Sequence, residues 1–263
     1  MHLASSDPFR HSLQPLIWTI GALSGVLSDS DEQRLILTTI IDVLRLVSTK
    51  KTKDDKAVVA GCLMYVIQQY PKFLKSHYKF LQTVIHKNFE FMHETHPGVQ
   101  DMACDTFRKI AKQCGHELVI PQTVQNQHYL PYINEIIAQL NVYVELLNQQ
   151  QREVVYEGVA SICRFEQNNE RRMMLIDNLL LQVNENIAAV IKEGCANSQA
   201  FHQMEAIHLL RNSLRFHKVV CEVVRIDYYK QVSWNGKNLQ CTLFLFKSKP
   251  ILFVVFELLP RLC

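Results

Sequence analysis

Two histidine-containing stretches are the places where the sequence offers ligands for metal chemistry. His93-Glu94-Thr95-His96 has the residue types of the H-E-x-x-H zinc-protease motif, but that motif has one more residue between its histidines. Cys114 and His116 offer two further ligands, yet a structural zinc site is four-coordinate and no neighbouring residue completes it. We therefore interpret His93 and His96 as solvated surface residues near a helix end, and we expect no metal site.

The sequence also lacks the motifs of nucleophilic and nucleotide chemistry. It contains neither a glycine-rich phosphate-binding loop nor a G-x-S-x-G nucleophile turn. The eight cysteines include no CxxC pair, and the N-terminus lacks the basic and apolar stretches of a signal peptide. We therefore predict reduced thiols in the cytosol or nucleus, a protein that is not an enzyme, and no cofactor.

Helices are the elements that the sequence predicts for most of the chain. Glycine and proline number only 8 each among 263 residues, so few turns are obligatory. From about residue 12 to 226 the apolar residues recur at helical spacing, in paired segments that repeat every ~40–50 residues, as HEAT repeats do. We predict an all-α fold: a HEAT-type α-solenoid of antiparallel helix pairs over 12–226, between an irregular N-terminal lead at 1–11 and a divergent tail at 227–263.

Local signals place the ends of several predicted helices. Ser30 and Gln33 have the spacing of a capping box at a helix start. One helix is predicted from about 73 to 95, and the helix that follows it is predicted to end at Gly115. The stretch over 121–128 is predicted to be a polar connection before further helices.

The tail and the net charge exclude two classes of partner. Residues 243–259 are apolar, but Lys247, Pro250 and Glu257 interrupt them, so no clean membrane span of about 20 residues is expected. The formal net charge of +3 is too small to imply direct nucleic-acid binding. We predict neither membrane insertion nor direct contact with nucleic acid.

Two apolar stripes flank a run of charged residues. Residues 50–56 are rich in lysine and are typical of a solvated turn between helices. On the predicted helix before this run, one face carries Ile40, Leu44 and Val47. A later helix carries a stripe that includes a lysine, namely Phe80, Val84, Lys87 and Phe91. Between the stripes, the intervening helix carries Ala60 and Met64. On pattern alone, such stripes are more often repeat core than a binding groove.

A long motif indicates the family. The chain closely resembles the exportins that carry leucine-rich nuclear export signals, within the importin-β-like HEAT-repeat superfamily, in Phe89-Glu-Phe-Met-His-Glu-Thr-His-Pro-Gly-Val-Gln-Asp-Met-Ala-Cys-Asp-Thr-Phe107. Further matching segments are Trp18-Thr-Ile-Gly-Ala-Leu-Ser-Gly25, Asp31-Glu-Gln-Arg34, Lys53-Asp-Asp-Lys-Ala57, Met64-Tyr65 and Gln69-Tyr-Pro-Lys-Phe-Leu74. The resemblance is strong over about 13–115, weaker to about 225 and absent beyond it.

The resemblance implies a cargo groove between the outer helices of two successive repeats, at about 31–49 and 76–95. The implied apolar wall comprises Ile40, Leu44, Val47, Ala60, Met64, Phe73, Phe80, Val84, Phe91 and Met102. The implied polar rim comprises Lys53, Lys56, Lys79, Lys87, Glu90 and Glu94. Because both stripes fall within this set, a groove becomes the preferred interpretation over core.

The resemblance also implies partners and a location. Members of this family bind cargo proteins with leucine-rich nuclear export signals, the GTP-bound small GTPase Ran and nuclear pore proteins, and they shuttle between nucleus and cytoplasm. They are several times longer than this sequence and wrap Ran with parts that it does not contain, so we do not extend Ran coupling to this chain. The alternative function is a truncated or divergent HEAT-repeat scaffold without cargo binding.

One position departs from the family pattern. Where many members carry a reactive groove cysteine, this sequence has Val47, which keeps the wall apolar but cannot form a thioether. We therefore predict insensitivity to electrophilic inhibitors that act through that thiol. Cys62 and Cys104 are predicted to be buried core thiols.

Overall fold

The computed structural model describes residues 8–49, 53–96, 98–197, 199 and 202–224. Eleven α-helices and one short hairpin form the secondary structure of these residues. The predicted all-α fold is therefore confirmed. The predicted irregular lead at 1–11 is wrong in its last part, because a helix already begins at Pro8. The predicted tail at 227–263 lies outside the described residues.

The hairpin interrupts the helical series once. The helices before it are α1 (Pro8–Ala22), α2 (Asp29–Thr49), α3 (Lys53–Gln69), α4 (Pro71–Ser76), α5 (Tyr78–Met92) and α6 (Val99–Val119). The hairpin consists of the antiparallel strands β1 (Gln122–Val124) and β2 (Gln127–Tyr129). The helices after it are α7 (Tyr132–Tyr143), α8 (Gln149–Cys163), α9 (Asn169–Leu179), α10 (Leu181–Ala196) and α11 (Met204–Val224).

The chain divides into two compact units, Met1–Arg172 and Met173–Cys263. In the first unit, α2 packs on α3, α5 on α6 and α7 on α8. The second members of these pairs form a row in which α3 contacts α6 and α6 contacts α8, and α1 extends the row by its contact with α3. Pairs that share a continuous core in this way are typical of a solenoid.

In the second unit, α10 packs against α11. Its interior includes Val183, Ile187, Leu210 and Val220, all buried. Within the described ranges, no single helix is long and apolar enough to cross a membrane, and α9 and α10 meet those criteria only as a bent pair.

The start of α2 differs from the prediction. The helix begins at Asp29, and the Oγ of Ser28 accepts a hydrogen bond from the backbone N–H of Asp31 at 3.3 Å. Ser28 is therefore the capping residue. The predicted capping box at Ser30 and Gln33 is wrong, because Ser30 already lies in the first helical turn.

The helix predicted over 73–95 is two helices. His77 separates α4 from α5, with backbone angles of φ −128° and ψ 72° that no α-helix contains. Its Nδ1 lies 2.9 Å from the Phe73 carbonyl oxygen, and its Nε2 lies 2.9 Å from the Gln33 side chain. These contacts hold the break in place and leave α5 to pack independently on α6.

Gly115 does not end α6, which continues to Val119. A Cβ at Gly115 would lie 2.5 Å from Cδ2 of Phe165, and a Cβ at Gly158 would lie 2.7 Å from Cε1 of Phe107. The two glycines therefore allow α6 and α8 to approach closely. The predicted stop at Gly115 is wrong because this close packing outweighs the helical cost of a glycine.

All of the hairpin except its last residue lies in the polar connection predicted at 121–128. Its turn residues Gln125 and Asn126 have φ values of 51° and 62°, the left-handed region that a type I′ turn requires at both central positions. Tyr129 packs edge-on against Tyr78 of α5, with ring centroids 5.9 Å apart. The hairpin is therefore anchored to the first turn of α5.

Candidate functional site

A cavity of about 200 Å³ lies between α2, α3 and α5. It is lined by Ile40, Leu63, Met64, Ile67, Phe80, Thr83, Val84, Lys87, Asn88 and Phe91. Six of the predicted groove residues are in this lining, namely Ile40, Met64, Phe80, Val84, Lys87 and Phe91. The structure thus brings the α5 stripe and Ile40 of the α2 stripe to one surface, with α3 between them.

The packing of the helix pairs creates this cavity. In the row behind it, α3 and α6 pack directly on each other, whereas α2 packs on α3 and α5 packs on α6. The α3 helix therefore forms the bottom of the space between α2 and α5, and its Met64 is 1% exposed. The α5 wall is formed by residues at helical spacing, from Phe80 through Val84 to Phe91, which share one face.

One cation lies across the apolar α5 wall. The Nζ of Lys87 pairs with the Glu90 carboxylate and lies 5.7 Å from the ring centroid of Phe91, an arrangement in which the ring face attracts the cation. His86 Nε2 also lies 3.6 Å from Glu90 Oε1. The predicted rim residues Lys87 and Glu90 therefore form a charged edge over Phe91.

Two predicted groove residues support the cavity from outside it. Phe73 of α4 is buried, stacks on His77 at 4.2 Å and meets Phe80 edge-on at 5.5 Å. Phe73 therefore fixes the ring of Phe80 without lining the cavity. Ala60 of α3, 2% exposed, lies one helical turn before Met64 and also does not line it.

Three other predicted residues lie apart from the cavity lining. Lys79 faces the hairpin, where its Nζ is 3.5 Å from Gln125 Oε1 and 5.5 Å from the Tyr129 ring centroid. Met102 of α6 is 41% exposed, and its Cε packs toward Gly61 of α3. Glu94 is exposed just beyond the end of α5.

Four predicted residues have side chains outside the described ones, namely Leu44, Val47, Lys53 and Lys56. The backbone nevertheless places the first two in the last turns of α2 and the other two in the first turn of α3. Their role as groove residues stays a prediction.

Asn88 is a cavity residue that sequence reasoning missed. It is 3% exposed, and its Nδ2 donates a hydrogen bond of 2.7 Å to the Ala103 carbonyl oxygen of α6. Its position four residues after Val84 and three before Phe91 puts it on the same helical face as the stripe. A polar residue within an apolar stripe at that spacing was the available signal.

The interpretation of His93 and His96 as solvated surface residues is wrong in part, because both side chains contact other residues of the fold. His93 is half-buried, with Nδ1 3.0 Å from the Phe89 carbonyl oxygen and Nε2 2.9 Å from that of Val142. His96, also half-buried, has its Nε2 3.5 Å from Asp54 Oδ1. Among the described residues, no group of histidine, cysteine and acidic side chains is arranged to hold a metal ion.

The thiols near the site are core residues. Cys62 and Cys104 are buried, which confirms that prediction, and burial raises the pKa of Cys62 to about 11 and that of Cys104 to about 12. Because the thiolate is the nucleophile, these two cysteines are poor targets for electrophiles at neutral pH.

Comparison with known proteins gives the family. Residues 9–54 match CRM1 / Exportin repeat 3. The chain is 38% identical over 224 residues to Exportin-1 of Schizosaccharomyces pombe, an alignment that covers 85% of this chain and 20% of that protein. It is 38% identical over 221 residues to Exportin-1 of Drosophila melanogaster and 36% identical over 223 residues to Protein EXPORTIN 1A of Arabidopsis thaliana, again covering 20% of each. The chain thus spans about a fifth of the length of these relatives. By its repeat and by its identity to them, it belongs to the exportin family.

Proposed function

We propose that this chain is the part of a nuclear export receptor that binds leucine-rich nuclear export signals, and that the cavity between α2, α3 and α5 is the binding groove. The observation that carries the proposal is the convergence of the α5 stripe with Ile40 of α2 and Met64 of α3 on one cavity, with Lys87 at its edge. A receptor of this kind would act in both nucleus and cytoplasm, as a binding protein without catalysis.

The lining suits a helical peptide with large apolar residues. Such a peptide presents several anchors on one face, and each fully buried anchor contributes roughly 1.5–3 kcal/mol before the cost of ordering the peptide. The cavity supplies the hydrophobic groove that helix-in-groove recognition requires. Its rings and branched chains come from three helices, so the surface is preformed before the peptide arrives.

The charged edge suits the peptide's polar groups. Lys87 is about one third exposed and is positioned by Glu90 and by the ring of Phe91. From there it can attract acidic residues of an export signal or donate hydrogen bonds to peptide carbonyl oxygens. Because the edge is partly solvated, we expect it to affect the association rate and the orientation more than the total affinity.

Fluorescence anisotropy of a labelled leucine-rich export peptide, titrated with the full chain, tests the proposal. A Lys87→Glu, Phe91→Ala double variant is expected to abolish saturable binding, because it removes the Phe91 ring from the apolar α5 wall and reverses the edge charge. Lys75→Glu is the matched charge control, since Lys75 is exposed on α4 and does not line the cavity. Lys87→Glu and Lys75→Glu change the net charge equally, so a difference between them reports position rather than charge.

Three results contradict the proposal in different ways. Equal loss of binding in Lys87→Glu and Lys75→Glu would mean that attraction is general rather than local. Undiminished binding by the double variant would place the peptide elsewhere. No binding by a wild-type sample that circular dichroism shows to be folded and helical would favour the alternative of a repeat scaffold without cargo.

A further inference from the structure

The cavity wall contains one polar side chain whose hydrogen bonding is incomplete. Asn88 faces a lining that is otherwise mainly apolar, and it is almost fully buried. Its Nδ2 donates to the Ala103 carbonyl oxygen at 2.7 Å. Because a carbonyl oxygen only accepts, this bond fixes the orientation of the amide, with the nitrogen toward α6.

The amide oxygen is therefore the group without a partner. Among the described residues, Oδ1 of Asn88 is buried and accepts no hydrogen bond. Buried polar atoms in native proteins are nearly always paired, so each exception calls for an explanation. Here the unpaired acceptor belongs to a residue that lines a ligand-sized cavity, between the wall residues Val84 and Phe91.

We propose that Asn88 is a specificity-determining residue of the groove, and that its Oδ1 accepts a hydrogen bond from a donor-bearing aromatic anchor, tyrosine or tryptophan, of the bound peptide. This inference rests on the proposed function. It adds that the groove does not treat all large apolar anchors alike. One anchor position prefers a side chain that combines an aromatic body with a hydrogen-bond donor at its tip.

The chemistry favours these two residues over the other large anchors. Leucine, isoleucine and phenylalanine fill apolar space but leave the acceptor unpaired in a site from which the peptide has now excluded water. The hydroxyl of tyrosine and the indole N–H of tryptophan both donate from the end of a large ring. A short polar residue carries a donor but forfeits the contacts with the aromatic and branched wall.

A matched peptide series tests the inference with the full chain. In a leucine-rich export peptide, each anchor is replaced in turn by phenylalanine and by tyrosine, which differ only in the hydroxyl. Dissociation constants are measured for wild type and for Asn88→Leu. At one anchor position, we expect the ratio of the tyrosine peptide's affinity to the phenylalanine peptide's affinity to be about fivefold to tenfold higher for wild type than for Asn88→Leu. Thr38→Val, which removes an exposed hydroxyl of α2 outside the cavity lining, is the control and should leave every ratio unchanged.

The outcomes separate this inference from the proposal on which it rests. Peptides that bind and respond to Lys87→Glu, but show the same ratios in wild type and Asn88→Leu, overturn the role of Asn88 alone. If no peptide binds folded wild-type protein, both proposals fail. If Asn88→Leu does not fold, the wild-type series still decides, because a preference for phenylalanine over tyrosine at every anchor rules out the acceptor.

Discussion

Acidification should loosen helices α10 and α11 through one buried histidine. His217 of α11 is 6% exposed, and its Nε2 lies 2.9 Å from Oδ1 of Asn184 on α10. Because the amide oxygen only accepts, neutral His217 donates its Nε2 proton to it. Burial lowers the pKa of His217 from 6.5 to about 4, since the charged ring loses its hydration inside the fold.

The sign of the pH effect follows from the two protonation states. The unfolded chain binds a proton near pH 6.5, whereas the folded chain binds it only near pH 4. Between these values the unfolded state holds more protons, so stability falls as the pH falls. The contribution of neutral His217 to the free energy of unfolding is complete above pH 6.5 and is lost progressively as the pH falls toward 4. At pH 5 the loss is about 2 kcal/mol, or roughly thirtyfold in the unfolding equilibrium constant.

Hydrogen exchange of the α10 and α11 amides measures this loss where it occurs. Protection factors, corrected for the intrinsic pH dependence of exchange, are compared at about pH 7.5 and about pH 5. We expect a roughly thirtyfold drop in wild type and a much smaller one in His217→Gln, which keeps a side-chain donor but does not titrate. His208→Gln, an exposed position on the same helix, should behave as wild type. An equal drop in wild type and His217→Gln would refute the reasoning.

Two further predictions concern packing in the first unit and reactivity in the groove. Gly158→Ala should lower the free energy of unfolding by about 2 kcal/mol relative to Gly61→Ala, measured by urea denaturation. Both changes improve helix propensity, but the new Cβ at Gly158 would meet the Phe107 ring at 2.7 Å, whereas at Gly61 it meets a flexible methionine end at 3.4 Å. Equal stabilities would show that α6 and α8 shift apart at no cost. Electrophilic inhibitors that act through the groove thiol of family members should leave the helix containing Val47 unmodified, whereas Val47→Cys should gain an adduct by mass spectrometry. An adduct on that helix in the wild-type protein contradicts this prediction.

The fold class could be predicted from sequence because it depends on local patterns. Helical periodicity and the scarcity of glycine and proline give helix pairs in series, and the structure has them. The failures occur where a distant contact overrides a local signal. Gly115 has the chemistry of a helix stop but lies against Phe165, and His77 breaks a helix without proline or glycine because its ring bonds Gln33 and Phe73.

The candidate site could be predicted only in part, for a similar reason. Spacing identifies which residues share a face of one helix, as with Phe80, Val84 and Phe91. Spacing does not show whether another helix packs against that face or leaves it open. Lys79 illustrates the limit, because it contacts the hairpin whose turn residues are Gln125 and Asn126. Both have a left-handed backbone, but Gln-Asn is not one of the residue pairs from which a hairpin turn is usually predicted.

Whether the α5 stripe becomes core or groove depends on the distance between neighbouring helix pairs. If α2 packed on α5 as closely as α3 packs on α6, the same side chains would seal against one another and no cavity would remain. The structure instead leaves about 200 Å³ there, with Lys87 extended over Phe91 at its edge. A lysine is tolerated in an apolar stripe when its ammonium group can reach water. The side chain of Lys87 is 34% exposed, so its ammonium group reaches water. The exposed lysine within the stripe is therefore the local feature that distinguishes this open face of α5 from sealed repeat core.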